Sequence, residues 1–221
     1  INTTFLNNRC KRCFASVAGA ARVLHCDLGV PEHTTAGAWN NLTNYASGAA
    51  LTSLRDTNGV ATSFELFVSN GFARAEDAGV ITNTYYPATA QRDGFVLDAA
   101  TSNALLVLRG LAPTNTYTLR LFGSRMYTPP DRRLQLSAGG QTLTLDTANN
   151  EYNSVLATNL APVGGVLALT CFAPGAASND YTCLGVARLG VIVPEPCAWL
   201  MAVAACCAVR RRASAKAAHT R

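Results

Sequence analysis

The sequence predicts an all-β domain of the sandwich type, followed by a short C-terminal hydrophobic helix. Three observations carry this. Short apolar or alternating runs of strand length recur through the middle of the chain, Gly/Asn/Pro turn signals separate them, and no long helical period appears before the tail. At 221 residues the chain is long enough for one domain with a sizeable core. Its 49% apolar content opposes wholesale disorder. No apolar run reaches the roughly 18 residues of a membrane span, which excludes a multi-pass membrane protein.

The elements follow in order. Residues 1–21 form a leader. Arg9-Cys10-Lys11-Arg12 precedes a nine-residue run of small and apolar residues, and Ala18-Gly19-Ala20 supplies an A-x-A cleavage pattern. A basic cap, an apolar run and small residues read as a degenerate signal peptide; the interruptions at Ser16 and Gly19 leave a disordered leader as the alternative. Strands are then expected at 23–28, 62–68, 105–111 and 116–122. The last alternates Tyr117, Leu119 and Leu121 against Thr118 and Arg120, as a half-buried strand does. Leu134-Gln135-Leu136 and Leu143-Thr144-Leu145 flank Gly139-Gly140, the signature of a tight hairpin. Runs at 166–172 and 183–192 close the set. Asn58-Gly59, Asn70-Gly71, Asp93-Gly94, Pro113-Thr114-Asn115 and Ala173-Pro174-Gly175 mark turns.

The formal charge of +5 invites a nucleic-acid reading, and its distribution removes that reading. Four of the 18 basic residues lie in 1–22 and five in 194–221. Nine remain in 23–193 against twelve acids, a balance of −3. A surface that tracks phosphates needs the opposite sign, so no nucleic-acid partner is expected. The two ends carry the positive charge and read as address labels.

The last segment, 193–221, has three parts. Val193-Pro194-Glu195-Pro196 precedes thirteen uncharged residues, and Arg210-Arg211-Arg212 follows. Thirteen helical residues span about 20 Å, short of the hydrocarbon core at about 30 Å. The arginines mark the cytoplasmic side, and the prolines break the preceding strand and open the helix. This tail resembles the PEP-CTERM sorting signal of exported bacterial proteins. The resemblance implies recognition by an exosortase-like membrane protease. It also implies an inner-membrane precursor anchored through the helix, and delivery to the cell surface or extracellular matrix. Cys197, Cys206 and Cys207 in the helix and the long segment after the arginines depart from the usual pattern.

Residues 22–192 resemble the galactose-binding-like jelly rolls of exported bacterial proteins. The residues that carry this are Asp27-Leu28-Gly29, Trp39-Asn40-Asn41-Leu42-Thr43, Gly110-Leu111, the Tyr117 strand and Phe122-Gly123-Ser124-Arg125. The resemblance implies a jelly-roll sandwich whose last strand returns beside the first, a scaffold that binds sugars more often than it cuts them.

Of eight cysteines, only Cys26, Cys171 and Cys183 fall in the domain. Cys171 and Cys183 are candidates for a disulfide across adjacent strands. Cys26 with Cys183, or three buried thiols, are the alternatives. Cys10-x-x-Cys13 lacks a second ligand pair, and His25 and His33 lack partner spacing, so neither metal nor cofactor is expected. Glu76-Asp77 reads as a solvated acidic turn rather than a calcium ligand pair.

Glycan binding needs an aromatic platform with polar groups that meet hydroxyls. Trp39, Asn40 and Asn41 form one candidate set; Arg125, Tyr127, Asp131 and Arg132, on a loop stiffened by Pro129-Pro130, form another, with Tyr85 and Tyr86 in a further loop. The structural alternatives are a Trp39 that plugs the sandwich and an Arg125 paired with Asp131. No G-x-S-x-G elbow is present. The expected function is therefore a non-enzymatic surface or matrix protein with weak glycan binding to an extracellular polysaccharide. The alternative is a carbohydrate-active accessory or esterase-like enzyme using Ser124, with His25 or His33 as base.

Overall fold

A computed structural model of the chain describes residues 22–82, 86–126, 132–174 and 181–194. The leader, Tyr85, Tyr127, Asp131, the Glu195 and Pro196 of the sorting motif, the hydrophobic helix and the arginine cluster lie outside the described residues. Contacts divide the chain into Ala21–Ile192 and a second unit of Ile1–Ala20 with Val193–Arg221. The fold that follows belongs to the first.

Three sheets form it. The five-stranded sheet runs β11 (Val155–Leu160), β8 (Thr116–Phe122), β14 (Val186–Ile192), β1 (Arg22–Leu28), β2 (Trp39–Leu42). The six-stranded sheet runs β10 (Gln141–Asp146), β9 (Arg133–Ala138), β12 (Leu167–Phe172), β7 (Asn103–Arg109), β4 (Glu65–Asn70), β3 (Ala50–Leu51). A smaller sheet joins β13 (Thr182–Leu184), β6 (Gly94–Leu97) and β5 (Arg74–Glu76). One short α-helix, α1 (Ala88–Arg92), and a single 3-10 turn, Pro31–His33, sit among the described residues.

The expected strands are there, with local differences. The last strand returns beside the first, since β14 pairs antiparallel with β1 from Arg22↔Val191 to Asp27↔Val186. The Gly139-Gly140 hairpin forms between β9 and β10, and both glycines take positive φ (53° and 79°), the geometry that a two-residue turn requires. The run at 183–192 is not one strand. Gly185 interrupts it, leaving β13 in the small sheet and β14 in the five-stranded one. Asp93-Gly94 is not a free turn either, since Asp93 ends α1 and Gly94 opens β6. Trp39-Asn40-Asn41-Leu42, read above as a binding segment after the first strand, is itself strand β2. It pairs in parallel with β1 from His25↔Trp39 to Leu28↔Leu42.

The core lies between the two large sheets. Leu24, Cys26, Leu28, Leu119, Leu121, Ala187 and Leu189 face Leu66, Val68, Leu106, Leu108, Leu136 and Leu169 in one apolar cluster. A void of about 10 Å³ between the sheets, lined by Cys26, Leu66, Leu106 and Leu119 among others, is room for a single water-sized probe. Tyr117 is fully buried; its hydroxyl accepts the Ala112 N–H at 2.9 Å and donates to the Ala112 carbonyl at 3.3 Å, which closes the turn before β8.

The expected Cys171–Cys183 disulfide is not formed. Both residues are free thiols, as is Cys26. Cys171 faces the core from β12, opposite Ala104 and Leu136, whereas Cys183 sits in the small sheet opposite Val96. The Cys183 sulfur donates instead to the Ser124 carbonyl at 3.0 Å. Burial pushes the Cys26 and Cys183 thiols up to about 12 and raises that of Cys171 as well, as expected of inert core cysteines.

Candidate functional site

Strand alternation sorts the five-stranded sheet into two faces. Tyr117, Leu119 and Leu121 of β8, Ala187 and Leu189 of β14, and Leu24 and Cys26 of β1 point into the core. The residues between them point out. Register then lines up one outward row across all five strands: Leu156 opposite Arg120, Arg120 opposite Arg188, Arg188 opposite His25, His25 opposite Trp39. The neighbouring row, Phe122, Val186, Asp27 and Asn41, is covered. Tyr86 and Ala90 pack on Phe122 and Val186, with Trp39 against the same cluster. That covering segment forms one wall and leaves the Arg120–Trp39 row open. The result is a groove of about 550 Å³ lined by His25, Trp39, Tyr86, Pro87, Arg120 and Arg188.

The aromatic end is ordered by ring contacts. The His25 and Trp39 rings lie 4.7 Å apart, tilted by 36°, and Tyr86 meets Trp39 edge-on at 6.1 Å. Tyr86 is anchored in turn on Phe122, at 5.3 Å between centroids. The other end is cationic. Arg120 donates to Ser154 Oγ at 2.8 Å. Among the described residues neither Arg120 nor Arg188 has an ion pair. Desolvation lowers the pKa of His25, and the nearby Arg188 charge lowers it further, so the imidazole is held neutral near pH 7.

The covered row includes one of two buried carboxylates, Asp27, and the other is Asp93 at the end of α1. Asp27 and Asp93 are each 2% exposed. Asp27 Oδ2 accepts the Thr35 N–H at 3.1 Å, and Asp93 Oδ2 accepts the Val30 N–H at 2.7 Å. Their Oδ1 atoms have no hydrogen-bond partner among the described residues. Desolvation, and secondarily the Asp27 charge, push the Asp93 carboxyl up to about 7. The Asp93 carboxylate rests on Gly29, where a Cβ would lie 1.8 Å from Oδ2, so the loop after β1 needs glycine there.

The structure separates the residues singled out from the sequence. Trp39 lines the groove. Asn40 faces the other way and is 9% exposed; it donates to the His25 carbonyl (2.9 Å) and the Arg55 carbonyl (2.8 Å), and accepts the Arg55 N–H (2.7 Å). Asn41 clasps the Thr35 backbone, accepting its N–H at 2.7 Å and donating to its carbonyl at 3.0 Å. Arg125 and Arg132 belong to a different cluster. With Arg74 they surround the Tyr181 ring, with guanidinium carbons 4.5 Å (Arg74), 5.2 Å (Arg125) and 5.6 Å (Arg132) from its centroid. Glu76 pairs with both Arg74 and Arg125, and Arg132 donates to the Tyr181 carbonyl at 2.8 Å. Glu76 and Asp77 are thus occupied by side chains of the chain itself, Asp77 meeting His33 at 3.4 Å and Arg92 at 3.6 Å.

Ser124 is 3% exposed, and its Oγ accepts the Val80 N–H at 3.0 Å. Among the described residues no hydrogen bond joins Ser124 to His25 or His33; His33 meets Asp77 and His25 stacks on Trp39. Tyr86, offered from the sequence as a loop candidate, lines the groove; the residues missed by sequence reasoning are Arg120, Arg188 and the stacking role of His25. Arg120 was legible as outward-facing from its alternation; nothing in the sequence showed which strand it would sit beside.

No family model matches this chain, and no curated protein matches it in sequence. Among solved structures it is similar to the ANX1 ectodomain from Arabidopsis thaliana, with 11% identity, 79% of this chain and 49% of that chain covered, and a TM-score of 0.47. It is also similar to the CBM36-1 domain of a multidomain xylanase from the hindgut metagenome of Trinervitermes trinervoides (13% identity, 52% and 86% covered, TM-score 0.32). A family 35 carbohydrate binding module from an environmental isolate is similar at 17% identity, with 57% and 90% covered and a TM-score of 0.29. The chain spans about half the length of the plant ectodomain. Likeness of this degree does not say what the chain binds.

Proposed function

We propose that the chain is an exported, non-enzymatic β-sandwich that binds a glycan in the groove on its five-stranded sheet. The observation that carries this reading is the half-buried Trp39 ring lining the groove, braced by His25 on β1 and by Tyr86 just before α1, and continuous with two guanidinium groups. An apolar ring face is what stacks on a sugar, and the groove volume falls within the usual range for ligand sites, about 300–1,000 Å³. The site is smaller and differently placed than the sequence suggested. It keeps Trp39 and excludes Asn40, Asn41, Arg125 and Arg132, which hold the fold. The test is a glycan array on the purified chain, with Trp39→Ala as the comparison. Bound glycans that are lost with Trp39→Ala support the reading; a glycan retained by that variant, or none bound at all, counts against it.

Export is supported by the sequence of the tail alone. The reading is that Val193-Pro194-Glu195-Pro196 is the motif seen by an exosortase-like protease and that Arg210-Arg211-Arg212 stops transfer. The anchored precursor would then be released to the surface or matrix. Replacing Pro194, Glu195 and Pro196 by alanine should trap the protein unprocessed in the membrane, and unchanged processing would remove the proposal. The esterase-like alternative loses its support, because the Ser124 hydroxyl is buried and already bonded.

A further inference from the structure

We infer that the groove takes an acidic saccharide, its carboxylate held between Arg120 and Arg188 while a ring face stacks on Trp39. This inference rests on the glycan-binding reading above and adds the charge of the ligand.

The hydrogen-bonding character of the lining is the first argument. A neutral sugar presents hydroxyls that both donate and accept, so its sites need acceptors as well as donors. Among the described residues no carboxylate or amide side chain lines the groove. Its charged groups are two guanidinium forks, which with the indole N–H only donate; the neutral His25 ring and the Tyr86 hydroxyl add one acceptor each. A lining rich in donors fits a ligand group that only accepts, and an ionised carboxylate is such a group. Charge-assisted bonds from arginine to carboxylate are the strongest of this kind.

The second argument is electrostatic. Arg120 and Arg188 lie directly opposite on adjacent strands, and among the described residues no carboxylate pairs with either. Like charges in that register oppose folding. Arg55 donates to the Gly59 carbonyl, while four other arginines of the domain are neutralised, Arg74 by Glu76 and Asp98, Arg92 by Asp77, Arg109 by Glu65 and Arg125 by Glu76. The groove pair lacks what these have, and an anion from outside supplies it.

The third argument sets the scale. Arg188 and Trp39 are two strand spacings apart, about 10 Å, with His25 between them. One charged group and one ring face therefore meet different ends of the same short ligand. A phosphate polymer is disfavoured because residues 23–193 carry a balance of −3, opposite in sign to a surface that tracks phosphates.

The test uses the full chain with Trp199→Phe, which makes Trp39 the sole tryptophan reporter. Its fluorescence is titrated with oligogalacturonate, with the methyl-esterified oligomer of the same length, and with single-stranded DNA. The expected result is binding of oligogalacturonate about tenfold or more tighter than its methyl ester, weakened as far by Arg188→Gln or Arg120→Gln in folded protein. Equal binding of acid and ester keeps the glycan reading and overturns the acidic one. Tighter binding of DNA overturns the saccharide assignment. No response to either oligomer, with no glycan retained on the array, overturns both.

Discussion

Arg120 and Arg188 stand directly opposite each other on β8 and β14, both outward, with no carboxylate paired to either among the described residues. Directly opposed like charges cost about 0.2–1 kcal/mol. Arg188→Gln should therefore raise stability by about 0.5 kcal/mol at low salt, and by less at high salt where the repulsion is screened. Chemical denaturation at two ionic strengths measures this. A loss of stability would mean that Arg188 supports the sheet and is not held for a ligand.

Asn40 should behave in the opposite way. Its side chain makes three bonds that tie β1 to the segment around Arg55, and it faces away from the groove. Asn40→Ala leaves buried backbone groups unsatisfied and should cost about 2–3 kcal/mol. Ligand affinity per folded molecule should not change. Weaker binding by the folded variant would return Asn40 to the site.

Asp93 supplies a pH dependence. Its folded carboxyl titrates at about 7 against an ordinary value of 3.8, so the fold favours the protonated form. The stability this contributes is complete below about pH 3.8 and is lost as the pH rises to about 7. Asp93→Asn removes the cost of the buried charge, and its amide oxygen can still accept the Val30 N–H. Thermal unfolding at pH 8 should show a gain of about 1–3 kcal/mol, shrinking towards pH 4. An equal change at both values would show that Asp93 does not ionise in this range.

His25 makes groove affinity depend on pH. It faces Arg188 from β14 and Trp39 from β2, and both desolvation and Arg188 hold its pKa below the usual value. Near pH 7 it is neutral; acidification adds a third positive charge beside the arginines. Oligogalacturonate, while it stays ionised, should bind more tightly as acidification protonates His25, and His25→Gln should flatten that profile. The methyl ester should show no such rise.

How much of this was legible in the sequence differs by element. β8 was readable because Tyr117, Leu119 and Leu121 alternate with polar residues, and the β9–β10 hairpin because Gly139-Gly140 dictates its turn. β6 was not, since Gly94–Leu97 is buried at every position and shows no alternation. β11 was not, since its register shifts between Ala157 and Leu160, and Asn159 takes a φ of 54°. Of the groove, Trp39 was identified as a candidate, while Asn40 beside it looked equally suited to binding and proved structural. Neighbours along a strand point to opposite faces, so one of such a pair is spent on the interior.

By itself the sequence determined the class of fold, the confinement of the net positive charge to the two ends, and the outward direction of Arg120 within its own strand. These follow from local rules: strand period, turn stereochemistry and composition. Only the tertiary structure decided that Arg120, Arg188, His25 and Trp39 form one row, that Arg125 and Arg132 belong to Tyr181, and that Cys171 and Cys183 stay apart. Those outcomes depend on which distant strands pair and in what register. Cross-strand pairing is set by how the whole core closes, and no window of sequence contains it.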